Sequence, residues 1–224
     1  MIALTVFRVA AYVRSHRVYQ ALLPILVMLA IVYASRAPAG SEAAALTDSA
    51  VLVIPFLAWS SRGLLDTEPD QQRAISATGV GGPGKEILAG LLAAACVSTV
   101  FAALALGWGV LLGVAVSPSS AVLTAAIVLH ALAVLAGVTL GALTSRAILR
   151  SPAVSIMALL IGFLVMLVVS SSPAYWLTVP ITRWMKSAGL GHLPADLPLL
   201  AGISLGWCAL GLAVYCTLRH TRGA

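Results

Sequence analysis

Charge is what this sequence has least of. Only 9% of its 224 residues are Asp, Glu, Lys or Arg, and just seven of those are acidic. A soluble domain carries about 25% charged and roughly 45–50% apolar residues. Here the apolar share is 61% and the mean hydropathy is +1.05. A water-soluble globular enzyme is thereby excluded. Cysteine is scarce too. Cys96, Cys208 and Cys216 lie inside apolar runs with no CxxC or Cys/His spacing, so neither a disulfide framework nor a zinc site is indicated. No Asp, Glu, Lys or Arg falls near the centre of an apolar run. Charges inside a membrane normally mark ion or proton pathways, so an ion-coupled transporter or proton pump is disfavoured. No internal repeat is visible either, which argues against the pseudo-symmetric secondary transporters.

What is present is apolar sequence in long runs. Six stretches stand out, at about 18–36, 46–63, 87–115, 121–144, 153–172 and 197–218, separated by polar or Pro/Gly punctuation. A helix needs about 20 residues to cross roughly 30 Å of hydrocarbon, so six spans leave too little chain for a soluble domain as well. The expectation is an all-α integral membrane protein with one transmembrane domain over residues 1–224. The net charge of +6 then reads as topology, with the lipid bilayer and no nucleic acid as its partner. Under strict alternation one side collects Arg8, Arg14, Arg17, Arg62, Arg73, Lys85, Arg146, Arg150, Arg219 and Arg222, and the other only Arg36, Arg183 and Lys186. The positive-inside bias puts both termini in the cytoplasm.

The first 39 residues imitate a secretory signal, with cations, an apolar run and Ala37-Pro38-Ala39 in place of a cleavage site. The run is longer than the usual h-region and its leading stretch is partly apolar, so it is expected to stay as a span. Residues 1–17 mix Ile2, Val6, Phe7, Val9 and Val13 with Arg8, Arg14 and Arg17. They form either an interfacial helix with its arginines toward lipid phosphates, or a basic extension of the first span.

Two motifs imitate catalytic ones. Gly79-Val80-Gly81-Gly82-Pro83-Gly84-Lys85-Glu86 satisfies G-x-x-x-x-G-K but puts Glu86 where a P-loop needs the Ser or Thr that holds Mg²⁺. No apolar strand precedes it, and a nucleotide site in this chain is not expected. Gly202-Ile203-Ser204-Leu205-Gly206 is a formal G-x-S-x-G, but it lies within the sixth apolar run instead of a strand–turn–helix. An intramembrane serine hydrolase pairing Ser204 with His130 is the enzymatic alternative it leaves. The plain reading of His130 is an imidazole bonded to a neighbouring helix or facing a cavity. Gly109-x-x-x-Gly113 and Gly137-x-x-x-Gly141 fit small-xxx-small helix packing and indicate contact only.

Two loops are long. In residues 63–86, Thr67-Glu68-Pro69-Asp70 has the pattern of a helix start, with a Thr cap, an early Pro and acids in the first turn. A short polar helix over 66–77 follows, ended by Gly79, suited to transmit force or dock a partner; a simple solvated loop is the alternative. In residues 172–196, Pro180 and Gly189 bracket a segment with Ile181, Trp184, Met185 and Ala188 on one face and Thr182, Arg183 and Lys186 on the other. With Tyr175 and Trp176 it reads as an interfacial or re-entrant helix, or as an aromatic belt beside a loop.

This arrangement resembles the membrane subunit of an ABC-2 type transporter (type V exporter-like) over the whole chain. Residues 77–90, from Ala77-Thr78-Gly79-Val80 to Lys85-Glu86-Ile87-Leu88-Ala89-Gly90, are similar to the family's Ala-Thr-Pro-Val, charged pair, Glu-Ile-Leu-Leu-Gly run. A Gly stands where the family often has Pro, two residues are inserted, and the frequent Gly-Thr after the acidic cluster is missing. The resemblance implies six spans, an interfacial helix at 1–17, a coupling helix at 66–77 and re-entrant helices within 172–196. It implies a permease of an ATP-driven exporter in the bacterial cytoplasmic membrane, working as a dimer with a second copy or paralogue. A separate ABC ATPase subunit would carry ATP and Mg²⁺, with no cofactor and no enzymatic activity in this chain. Glu68, Asp70, Gln72 and Arg73 would face that ATPase, and Trp176, Pro180 and Trp184 would mark the external segment. A non-transporting assembly or immunity protein is the further alternative.

Overall fold

The computed structural model describes residues 1–222, apart from the side chains of Asp70 and Arg222. In chain order the helices are α1 (Ile2–Arg14), α2 (Val18–Val32), α3 (Glu42–Leu65), α4 (Asp70–Val80), α5 (Pro83–Trp108), α6 (Ser120–Leu143), α7 (Pro152–Ser171), α8 (Ile181–Gly189) and α9 (Leu193–Arg222). No strand occurs among the described residues, only an isolated bridge between Ala37 and Val114. Five helices are long and apolar enough to span a membrane, and the bent pair α1–α2 makes a sixth if it counts as one span.

The expected first span at 18–36 ends earlier, at Val32. The chain leaves the helix there because its backbone finds partners elsewhere. Ala37 N–H donates to the Gly113 carbonyl at 2.8 Å, and Ala115 N–H donates to the Ala37 carbonyl at 3.0 Å. This ties the end of α2 to the end of α5. At the other end of α2 an Arg17 guanidinium N–H donates to the Asp66 carbonyl at 3.5 Å, just past α3. Thus α2 connects opposite ends of the bundle although its 15 residues span only about 22 Å at 1.5 Å per residue.

The centre is the pair α3–α6, with α5 and α9 packed beside it. Hydrocarbon gives no hydrophobic drive for helices to associate, so close packing of small residues has to supply the attraction. Gly137 and Gly141 provide it: a Cβ on Gly137 would meet Leu57 Cβ at 2.6 Å, and one on Gly141 would meet the Ala58 carbonyl at 2.5 Å. The other glycine pair makes its contact differently. Residues Gly109–Gly113 form a π-helical turn, and a Cβ on Gly109 would meet Leu46 of α3 at 2.7 Å. The ring of Tyr33 fills the space both glycines leave open, and its hydroxyl donates to the Ala45 carbonyl at 3.1 Å. Leu160, Leu164 and Val168 on α7, with Leu199 and Leu210 on α9, face outward.

At the end opposite α4, a 3-10 turn at Tyr175–Leu177 leads to α8. Here Ile181, Trp184 and Ala188 are buried, as the amphipathic pattern requires, while Met185 turns outward with Lys186. Trp184 is the fully buried anchor, Pro180 caps the helix, and Trp176 is exposed. Arg183 lies 4.5 Å from the centroid of the Tyr175 ring.

Candidate functional site

Polar side chains concentrate where α1, the α3–α4 connection, α5 and α9 meet. α1 carries Arg8 inward, 6% exposed, while Ile2, Val6, Phe7 and Val13 face out. The expectation that its arginines point to lipid phosphates fails at Arg8. Its guanidinium donates to Glu68 Oε2 and Glu86 Oε1, and also to the Glu86 carbonyl at 2.8 Å. An arginine can enter a low-dielectric site only with its charge and its N–H groups matched, and two carboxylates supply both. The approach needs Gly90: a Cβ there would stand 2.7 Å from the Arg8 guanidinium and 3.1 Å from Leu65.

Glu86 is shared. Its Oε2 accepts from Arg219 at 2.9 Å, and Arg219 also donates to the hydroxyl of buried Tyr215 at 3.0 Å. One carboxylate on the first turn of α5 therefore joins α1 to α9, and Glu68 adds the α3–α4 connection. The sequence offered Glu86 only as the last residue of the P-loop look-alike and as part of a family-like run. Because both Arg8 and Arg219 reach Glu86, both ends of the chain lie at the same end of the bundle.

A second hub is Asp66, immediately after α3. Its Oδ1 accepts the Arg146 backbone N–H at 2.9 Å. Arg73 lies 4.0 Å and Arg62 3.9 Å from its carboxylate oxygens. Burial pushes the Asp66 carboxyl up from its ordinary pKa, against the pull of the Arg146 N–H and the nearby guanidinium groups. Arg73 also donates to the Leu65 carbonyl, and Arg62 to Ser155, whose hydroxyl donates to the Thr144 carbonyl. This ties α3 to α7.

The polar helix differs from the sequence expectation at both ends. It starts at Asp70, not near 66, because the Thr67 hydroxyl bonds back to the Gly63 carbonyl at 2.9 Å and so does not cap. It runs through Gly79 and stops at Gly81, whose φ of 84° takes the left-handed conformation that favours glycine. Of the residues expected to face a partner, Glu68 and Arg73 are turned inward, at 7% and 8% exposure. Gln72 is exposed. The side chain of Asp70 lies outside the described residues. What the outer face of α4 adds, and composition alone had not marked, is Ile75 at 72% exposure beside Gln71 and Thr78.

The residues of the hydrolase alternative are satisfied separately. Ser204 donates to the Leu200 carbonyl of its own helix at 2.6 Å. His130 Nδ1 lies 2.9 Å from the Ala126 carbonyl and Nε2 lies 3.4 Å from the Ser49 hydroxyl. No hydrogen bond joins Ser204 to His130 among the described residues. In the P-loop look-alike, Gly81 and Gly82 take positive φ and Pro83 opens α5, so the segment is a helix–turn–helix connection.

No protein-family model matches the chain, and neither does any curated protein or solved structure.

Proposed function

We propose that the chain is the membrane subunit of an ATP-driven exporter of the ABC-2 type, with its arginine-rich end in the bacterial cytoplasm. It works as a dimer with a second permease copy, and a separate ABC ATPase supplies hydrolysis. The observation that carries this reading is the placement of α4. It is a polar helix outside the bundle, packed on α5, with an exposed face of Gln71, Gln72, Ile75 and Thr78. An isoleucine exposed on an otherwise polar helix suits a contact with another protein. The connection entering α4 is bonded to α1 through Glu68, and through Arg8 and Glu86 to α5 and α9. A push on α4 is thus delivered to three other helices through matched charges instead of being lost in a loop.

The test is recovery of the tagged chain from its native membranes in mild detergent, with mass spectrometry of bound proteins. The expected result is a roughly stoichiometric soluble ATPase, depleted when Ile75→Asp and Gln72→Lys are combined. Both positions are exposed, so insertion and folding are expected to persist. Recovery of an intact chain with no ATPase, under conditions that preserve other ABC complexes, overturns the reading.

A further inference from the structure

Beneath α4 lies an open cavity of about 840 Å³ whose walls include Arg17, Asp66, Arg73, Arg146, Arg150 and Arg219. Its charges do not balance. Glu68 and Glu86 are taken up by Arg8 and Arg219. Asp66 then remains against Arg17, Arg62, Arg73, Arg146 and Arg150. Setting aside Arg62 and Arg73, whose guanidinium groups lie at the Asp66 carboxylate, the positive charges of Arg17, Arg146 and Arg150 remain. Arg17, Arg146 and Arg150 are exposed at the rim; the Arg17 guanidinium donates to the Asp66 carbonyl, and the Arg146 backbone N–H to Asp66 Oδ1. Like charges lining one cavity repel, and an anion in the cavity relieves that repulsion. Guanidinium groups match phosphate oxygens in geometry as well as charge.

A second feature identifies the source of the anion. An apolar groove of about 390 Å³ runs between the start of α5 and the end of α9, lined by Ile87, Leu88, Leu91, Cys216 and Thr217. Ile87 lines both spaces, so they are one side chain apart. A free phosphate ion would use only the polar cavity; an amphiphile would use both. We propose that this end of the bundle binds an anionic phospholipid of the adjoining leaflet, its phosphate among Arg17, Arg146 and Arg150 and an acyl chain along the α5–α9 groove. Basic pockets between membrane helices are suited to such headgroups. The proposal does not depend on the exporter reading.

The test is thermal unfolding of the full purified chain in detergent with added dioctanoyl phosphatidylglycerol, dioctanoyl phosphatidylcholine or inorganic phosphate. A ligand that binds only the folded form raises the Tm in a saturable way. The expected result is a rise with phosphatidylglycerol alone, largely abolished in the Arg146→Gln, Arg150→Gln double variant. Both side chains are exposed, so the variant is expected to fold, which its circular dichroism and gel-filtration profile will check. An equal rise with phosphatidylcholine removes the requirement for net negative charge, and one with phosphate at the same concentration removes the lipid; either overturns the proposal. So does a rise undiminished in the double variant, which places the site elsewhere, or no rise at all.

Discussion

Glu86 is 3% exposed and bonded to two guanidinium groups. Removing its charge would leave Arg8 with Glu68 alone and Arg219 with no carboxylate among its described bonds. Deleting one member of a buried ionic group costs about 3–5 kcal/mol, because the partner charges stay buried and uncompensated. Glu86→Gln is therefore expected to lower the Tm in detergent sharply. Lys186→Gln, on the exposed side of α8, is expected to change stability by no more than about 0.5 kcal/mol. Equal Tm values for the two variants would show that the network is not structural. Little of this network was legible in the sequence. Arg8, Glu68, Glu86 and Arg219 are far apart along the chain, and only the docking of α1 and α9 on α5 brings them together. Glu68 and Arg73 read as facing a partner because they flank or sit on a polar helix. Composition does not say which face of such a helix turns inward.

At the scale of the helix, glycine roles separate by what a Cβ would meet. On Gly141 it would press on the Ala58 carbonyl and the Arg62 backbone nitrogen, and backbone cannot swing aside as a side-chain tip can. Gly141→Ala is expected to cost about 1–3 kcal/mol. Gly79 lies inside α4 with nothing within 4 Å of such a Cβ, so Gly79→Ala is expected to stabilise by about 0.5–1 kcal/mol. Gly81, two residues on, has φ at 84°, and alanine there costs about 1–2 kcal/mol. Thermal unfolding of the three variants checks the order; a stabilising Gly141→Ala would show that α3 and α6 are not in close contact. Five of the six expected spans were legible as long apolar helices, since such runs bounded by Pro, Gly and charge leave few other readings; the first depends on the bent pair α1–α2. Their ends were less so. Nothing in the sequence pairs Ala37 with Val114, and a hydroxyl of Thr67 that bonds back into α3 looks, in sequence, the same as one that caps α4. The small-xxx-small pattern signals a close neighbour, and both pairs have one: the backbone of α3 at Gly137 and Gly141, and Leu46 of α3 at Gly109. What the pattern did not show is that the ring of Tyr33 takes most of the space at Gly109 and Gly113.

For the whole molecule, the geometry and the charge count bear on one question, which side each end faces. Arg8 and Arg219 meet on one carboxylate, so the first and last helices share an end of the bundle. The end of α2 bonds to residues 113 and 115, beyond the far end of α5. The chain therefore goes from one end to the other along α2 despite that helix's shortness, and returns along α3. Between α4 and α8 lie α5, α6 and α7, each long and apolar enough to cross a membrane. Three crossings would put positions on α4 and just after α8 on opposite sides, whatever the status of α1. The excess of cations at the α4 end is the ground on which we propose that this side is cytoplasmic. With Cys96, Cys208 and Cys216 replaced by alanine, Thr78→Cys and Leu190→Cys report this directly, both positions being exposed. A membrane-impermeant maleimide added to intact spheroplasts is expected to label Leu190→Cys and leave Thr78→Cys unlabelled, and inverted vesicles are expected to reverse the pattern. Labelling of both from one side would mean that one of the three helices does not cross, and the α7 end of the bundle would have to be redrawn. A clean reversal of sides would keep the fold and take α4 out of reach of any cytoplasmic ATPase, so that outcome would overturn the exporter reading as well.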